Sequence, residues 1–176
     1  METLLKKINF DSYYIEATFQ FNLLMELASI YNRSIIFPER SIEYYDNLSN
    51  LTKKRIDIVL EYNNNIAIEL KMPMNGQVPV QMFKIIQDIK FLEELKSSKK
   101  FFECYSIVVT NDKKFWCGKT KDGIYSYFRD NKTITGKIDK PIDANKTEKP
   151  PCEINGKYEI QWKNLNDDFR YFIIEI

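Results

Sequence analysis

The stretch RIDIVLEYNNNIAIELK, residues Arg55 to Lys71, decides the fold. Arg55 to Glu61 and Ile66 to Lys71 are two runs rich in isoleucine and valine, separated by Asn63-Asn64-Asn65. Branched residues suit a pleated, half-buried surface, and consecutive asparagines favour a turn, so a β-hairpin is expected. Side chains alternate along a strand, which puts Glu69 and Lys71 on one face and Leu70 on the other. Pairing through the asparagine turn brings Asp57 towards Glu69. Two carboxylates and an ammonium group then meet at one end of the hairpin.

Close carboxylates repel, and a hard divalent cation such as Mg²⁺ reconciles them. The carbonyl of Leu70, between Glu69 and Lys71, is placed to add another oxygen ligand. Magnesium keeps several waters and binds phosphate oxygens. It acidifies a bound water, while Lys71 can orient that water or stabilise charge on a phosphate. The set Asp57, Glu69 and Lys71 therefore suits phosphodiester hydrolysis.

Outward from the hairpin, residues 12 to 32 read as a helix capped by Asp11 or Ser12. Ile15, Phe19, Leu23, Leu27 and Ile30 recur along it at helical spacing. Ile35 to Phe37 is a short strand ended by Pro38, and residues 39 to 53 are loop-like. Residues 80 to 97 form an amphipathic helix with Met82, Ile85, Ile86, Ile89, Leu92 and Leu95 on its apolar face. Tyr105 to Thr110 is apolar enough for a central strand, and Lys114 to Cys117 is a further candidate strand. Residues 129 to 157, rich in lysine and proline, read as a long surface loop with a short strand or two. Lys157 to Lys163 and Phe169 to Ile176 look like a terminal hairpin. No repeat or linker divides the chain. The expected architecture is a single α/β domain over residues 1 to 176, with a central mixed β-sheet flanked by helices.

Composition narrows the chemistry. The 176 residues contain no histidine, which excludes Ser-His-Asp and Cys-His catalysis, HExxH metalloproteases and histidine-based nucleases. Gly118-Lys119-Thr120 imitates the end of a phosphate-binding loop, but Lys113 stands where that loop needs glycine. Cys104, Cys117 and Cys152 are odd in number and form no CxxC pair, so reduced thiols in a cytoplasmic protein are expected. METLLKKINF lacks the apolar run of a signal peptide, and no stretch has the length of a membrane span. The Asn145-Lys146-Thr147 sequon carries no weight in that setting. A net charge of +1 leaves phosphate contacts to local patches or to metal held by carboxylates. Lys53-Lys54-Arg55, Lys99-Lys100 and Lys113-Lys114 are such patches, or ordinary solvated faces. Tyr44, Tyr45, Trp116 and Trp162 are able to stack on bases, although most aromatics belong to the core.

Asp57, followed by Glu69-Leu70-Lys71 after a 12-residue step within two β-type runs, resembles the PD-(D/E)XK nuclease superfamily, which has a restriction-endonuclease-like fold. The convincing match covers roughly residues 55 to 71. Ile56 stands where the strict pattern has proline. The resemblance implies a Mg²⁺-dependent deoxyribonuclease, with Mn²⁺ able to substitute and DNA as substrate. Asp57, Glu69 and the Leu70 carbonyl would hold the metal, and Lys71 would assist the attacking water. It also implies an upstream helical glutamate at the site. Glu16 fits best, with Gln20 one turn on, and Glu26 competes. Ten residues apart, these two are separated by about 280° of rotation around the helix axis, so only one is expected to face the site. A glutamine or lysine on the helix after the ExK strand is implied too; Gln81 and Lys84 share a helical face there. So small a domain suggests a homodimer, or the nuclease part of a larger complex. Two alternatives stand beside this reading. One is a catalytically inactive nuclease-fold subunit or regulator; the other is an interaction protein of unrelated α/β fold. A solvent-facing hairpin would also carry Glu and Lys.

Overall fold

A computed structural model describes residues 1–11, 15–46, 48, 51–62, 64–74, 77–141 and 150–176. Its centre is the hairpin. Strand β2 (Arg55–Leu60) runs antiparallel to β3 (Asn65–Lys71) in the register Ile58↔Ile68, Val59↔Ala67 and Leu60↔Ile66. Asn64 and Asn65 lie at the turn; Asn63 lies outside the described residues. Strand β1 (Ile36–Ser41) forms the sheet edge beside β2. It continues through Pro38, where a break was expected. An edge strand accommodates a proline because one side of its backbone needs no ladder partner.

Helix α3 (Val78–Ser97) follows β3 and leads into β4 (Phe101–Thr110), which lies parallel to β3. A parallel neighbour requires such a crossover. Strand β8 (Arg170–Glu175) completes the apolar centre antiparallel to β4, and the two-residue β7 (Lys163–Asn164) ends the sheet. The order is β1-β2-β3-β4-β8-β7, a six-stranded mixed sheet. The chain is thus α/β, as its sequence implies. The expected terminal hairpin shrinks to β7 with β8, because β8 spends most of its length on β4.

Alternation sorts the sheet residues into two layers. Ile58, Leu60, Ile68, Leu70, Ile107, Val109 and Tyr171 pack with Leu5 of α1 (Glu2–Leu5) and with Phe19, Leu23 and Leu27 of α2 (Glu16–Ala28). Val59, Ala67 and Cys104 pack with Phe91, Leu92 and Leu95 of α3, while Val108, Phe172 and Ile174 join Met82, Ile85, Ile86 and Ile89. Helix α2 is shorter than its periodicity suggests. Ile15 is extended and exposed, Ile30 lies exposed beyond the last turn, and Ser12 falls outside the described residues.

Two further expectations need revision. Lys113–Phe115 is a 3₁₀ turn instead of a strand, nucleated by the Asp112 side chain, which accepts a hydrogen bond from the Lys114 amide at 3.0 Å. The 129–157 stretch holds two paired strands, separated by residues 142–149, which lie outside the described set. These are β5 (Ile134–Ile138), which follows helix α4 (Tyr125–Arg129), and β6 (Cys152–Tyr158). Their Ile134, Ile138, Cys152 and Ile154 are buried against α3. Glu93 of α3 clamps β6 by accepting from the amides of Asn155 (3.0 Å) and Gly156 (2.6 Å) and from the Tyr158 hydroxyl (3.1 Å). The three cysteines are free. Among the described residues, no helix is long and apolar enough to cross a membrane.

Candidate functional site

The β2–β3 ladder begins at Ile58↔Ile68, so Asp57 and Glu69 sit where the strands part. Their side chains take over the missing contacts. Asp57 Oδ2 accepts a hydrogen bond from the Leu70 amide at 2.7 Å, and the Asp57 amide lies 3.4 Å from Glu69 Oε1. A carboxylate thus satisfies a backbone donor that a continued ladder would have paired. The two acids expected to converge do so, at the end of the hairpin remote from its turn.

Helix α2 braces this opening. Gln20 donates from Nε2 to the Asp57 carbonyl (2.9 Å) and to Glu39 (3.1 Å). Glu16 Oε2 accepts from the Met72 amide at 2.9 Å, and Glu16 Oε1 lies 3.4 Å from the Lys71 ammonium. Glu26 points elsewhere and pairs with Lys7 at 3.7 Å. Of the two helical glutamates, Glu16 is the one at the site.

Lys71 shares the Glu69 side of β3. Its ammonium also reaches the Leu70 carbonyl (3.3 Å) and lies 3.9 Å from Asp88 Oδ2. Asp88 comes from the middle of α3 and is 2% exposed. The ammonium of Lys53 bridges Glu69 Oε2 and Asp88 Oδ1. Lys53 is delivered by the segment before β2. Thr52, its neighbour, fastens that segment to α3 by donating from its amide and hydroxyl to Glu94, both at 2.9 Å.

The site is acidic for its burial. Four carboxylates (Asp57, Glu69, Asp88, Glu16) face two ammonium groups (Lys53, Lys71). Burial pushes Asp57 up to about 6, partly opposed by the Leu70 amide and by Lys53 and Lys71. Burial, reinforced by the charge of Asp57, holds Glu69 well above the usual carboxylate range. Burial likewise raises Asp88. Burial works against the charge of Lys53, yet Glu69 and Asp88 overcome it and hold the ammonium protonated. Lys71 is raised in the same way by Asp88, Glu16 and Asp57 against its burial.

Two grooves open beside these groups. One, of about 340 Å³, is lined by Thr52, Lys53, Lys71, Lys84, Gln87 and Asp88. The other, of about 400 Å³, shares Lys71 and Lys84 and adds Glu16 and Gln81. Gln81 and Lys84, expected on one helical face, therefore line grooves next to Lys71. The aromatic candidates do not. Trp116 and Trp162 pack against each other in a tilted arrangement at 5.6 Å, and Tyr45 packs edge-on to Phe101 at 5.0 Å.

Sequence reasoning missed Asp88 and treated Lys53 as one of a surface basic run. A signal for Asp88 exists in hindsight. It lies among Ile85, Ile86, Ile89 and Leu92, the apolar positions of α3, where a carboxylate is costly without a partner. Lys53 carries no such mark, because its role depends on where the preceding loop is fastened.

Among the described residues, no cluster of three or more His, Cys, Asp or Glu side chains is arranged to hold a metal ion. Comparison with protein-family models, with curated proteins and with solved structures finds no match.

Proposed function

We propose that the chain is a small, metal-dependent deoxyribonuclease of PD-(D/E)XK type on a restriction-endonuclease-like fold. The observation that carries this reading is the parted end of the hairpin, where the Asp57 carboxylate is tucked under the Leu70 amide beside Glu69. Lys71 stands next to the Leu70 carbonyl.

The donors fit Mg²⁺, which needs only one or two protein carboxylates because water and phosphate oxygens fill its shell. Asp57, Glu69 and the Leu70 carbonyl would hold it, with Glu16 close by through Lys71, and Mn²⁺ would substitute. The structural sign of fit is a shortage of positive charge: buried, mutually repelling carboxylates that have already drawn Lys53 between Glu69 and Asp88. When bound, such an ion supplies an acidified water and screens the phosphate.

The chain's own groups do the remainder. Lys71, kept protonated by Asp88 and Glu16, offers a proton-donating contact to a phosphate oxygen or to the attacking water. Gln20 and the Met72 amide fix the backbone of both strands so that the acids keep their spacing. Lys84 and Gln81 line the grooves through which a strand would pass. DNA is the proposed substrate. A homodimer would set two such sites on two strands, and otherwise the chain serves as the nuclease part of a larger complex in the cytoplasm.

Lys53 supports a second reading. A cation already bonded to Glu69 suits a catalytically silent protein of the same fold, acting as a subunit or regulator. One assay separates them. The chain and its Asp57→Ala variant are incubated with duplex DNA, single-stranded DNA and RNA in Mg²⁺ or Mn²⁺. We expect cleavage of DNA by the wild type and loss of at least about 100-fold in the variant. Identical behaviour on every substrate would refute the nuclease reading.

A further inference from the structure

Lys53 and Asp88 are not among the proposed metal-holding residues, and their geometry is specific. The Lys53 ammonium touches one oxygen of Glu69 and one of Asp88. Glu69 is 1% exposed, so its charge has no recourse to water. The second oxygen of Asp88, Oδ2, has no hydrogen-bond partner although it is buried, and the Lys71 ammonium lies 3.9 Å from it. Asp88 thus has capacity to spare for an ammonium, whereas Glu69 already gives one oxygen to Lys53 and has the Asp57 amide 3.4 Å from the other. Lys53 itself is about one-third exposed. It borders the 340 Å³ groove with Lys71 and Lys84, so it has room to move without leaving Asp88.

We infer that Lys53 is an internal counter-ion that a divalent cation displaces from Glu69, and that Asp88 is the positioning residue that retains it. Displaced, the ammonium keeps Asp88 and turns into the groove beside Lys71 and Lys84, where three ammonium groups form a subsite for a phosphate. This inference rests on the metal reading of Asp57 and Glu69. It adds a competition between a lysine and the metal, and a third basic residue for the substrate phosphate. Like charges within contact distance oppose each other strongly in a partly buried site. The competition should therefore be visible in metal affinity alone.

The experiment is calorimetric titration of the full chain with Mg²⁺ and Mn²⁺ at pH 8, without nucleic acid. Wild type, Lys53→Met, Asp88→Asn and Glu69→Gln are compared. Lys53→Met should bind about ten-fold more tightly or better, because a competing cation is gone. Asp88→Asn should bind several-fold more weakly, because Lys53 then belongs to Glu69 alone. Glu69→Gln should lose binding. Thermal unfolding gives a second readout: Mg²⁺ should raise the melting temperature of Lys53→Met more than that of wild type. A purely structural ion pair would lower stability in both variants and leave affinity unmoved. Unchanged or weaker binding by Lys53→Met overturns the inference while wild-type binding keeps the metal reading intact. If Lys53→Met does not fold, Asp88→Asn decides, and unchanged or tighter binding there overturns it. No divalent binding by any form overturns both.

Discussion

Asp57→Asn should make the metal-free protein more stable at pH 8 and leave it nearly unchanged at pH 4. The cause is the burial of Asp57, whose carboxyl titrates at about 6 in the folded chain against an ordinary value of 3.8. A raised carboxyl binds its proton more tightly when folded. It costs nothing below pH 3.8, where both states are protonated, and its cost grows as pH rises towards 6. At about 1.4 kcal/mol per pH unit, the gap amounts to about 3 kcal/mol above pH 6. Asparagine keeps an oxygen that accepts the Leu70 amide, so the backbone donor stays satisfied while the buried charge is removed. Part of the gain is lost because the charged acceptor makes the stronger hydrogen bond. A net gain of about 1–3 kcal/mol is expected, or about 2–4 °C per kcal/mol in melting temperature. Urea unfolding of wild type and variant at pH 4 and pH 8, in the presence of a chelator, measures it. Comparing the two proteins at each pH cancels the titration of groups that do not feel the charge of Asp57; Glu69, which does, is relieved in the same direction. A variant no more stable than wild type at pH 8, or equally stabilised at both pH values, would show that Asp57 is not held charged against its surroundings.

Other expectations follow from particular contacts. If the chain is the proposed nuclease, Glu16→Gln should reduce metal-dependent cleavage by about ten-fold or more, since Glu16 touches Lys71 and the Met72 amide. Glu26→Gln should leave the rate within two-fold, about the scatter of a surface change. Phe19→Ala, at a fully buried site packed 5.5 Å from Phe10, should cost about 3–5 kcal/mol in denaturant unfolding. Glu93→Ala leaves two amides and a hydroxyl of β6 without their acceptor. It should cost about 2–4 kcal/mol and show as faster hydrogen exchange in β6.

Local patterns were legible where the partner is close in sequence. The hairpin, α3 and the central β4 follow from alternation and helical spacing, and with them the position of Asp57, Glu69 and Lys71 at one end. Helix geometry left room for one of Glu16 and Glu26 at the site, and Gln20 one turn on favoured Glu16. What escaped depends on distant partners. β8 looked like half of a terminal hairpin because its partner β4 lies some 60 residues earlier. β5 and β6 looked like parts of a loop because their few isoleucines make sense only against α3. Lys53 and Asp88 are 35 positions apart and meet only when the loop before β2 is tied to α3.

The parted end of the hairpin also bears on the order of assembly. Asp57 and Leu70 are 13 residues apart, whereas Glu16 and Met72 are 56 apart. Short loops close at lower entropic cost, so the hairpin can form before α2 docks. The acids would then be pressed together early, ahead of the helices that brace them. On this hypothesis their repulsion is felt on the way up the folding barrier. Asp57→Asn should therefore speed refolding at pH 8 as well as slow unfolding, and a chevron in which only the unfolding limb moves would place the pair late.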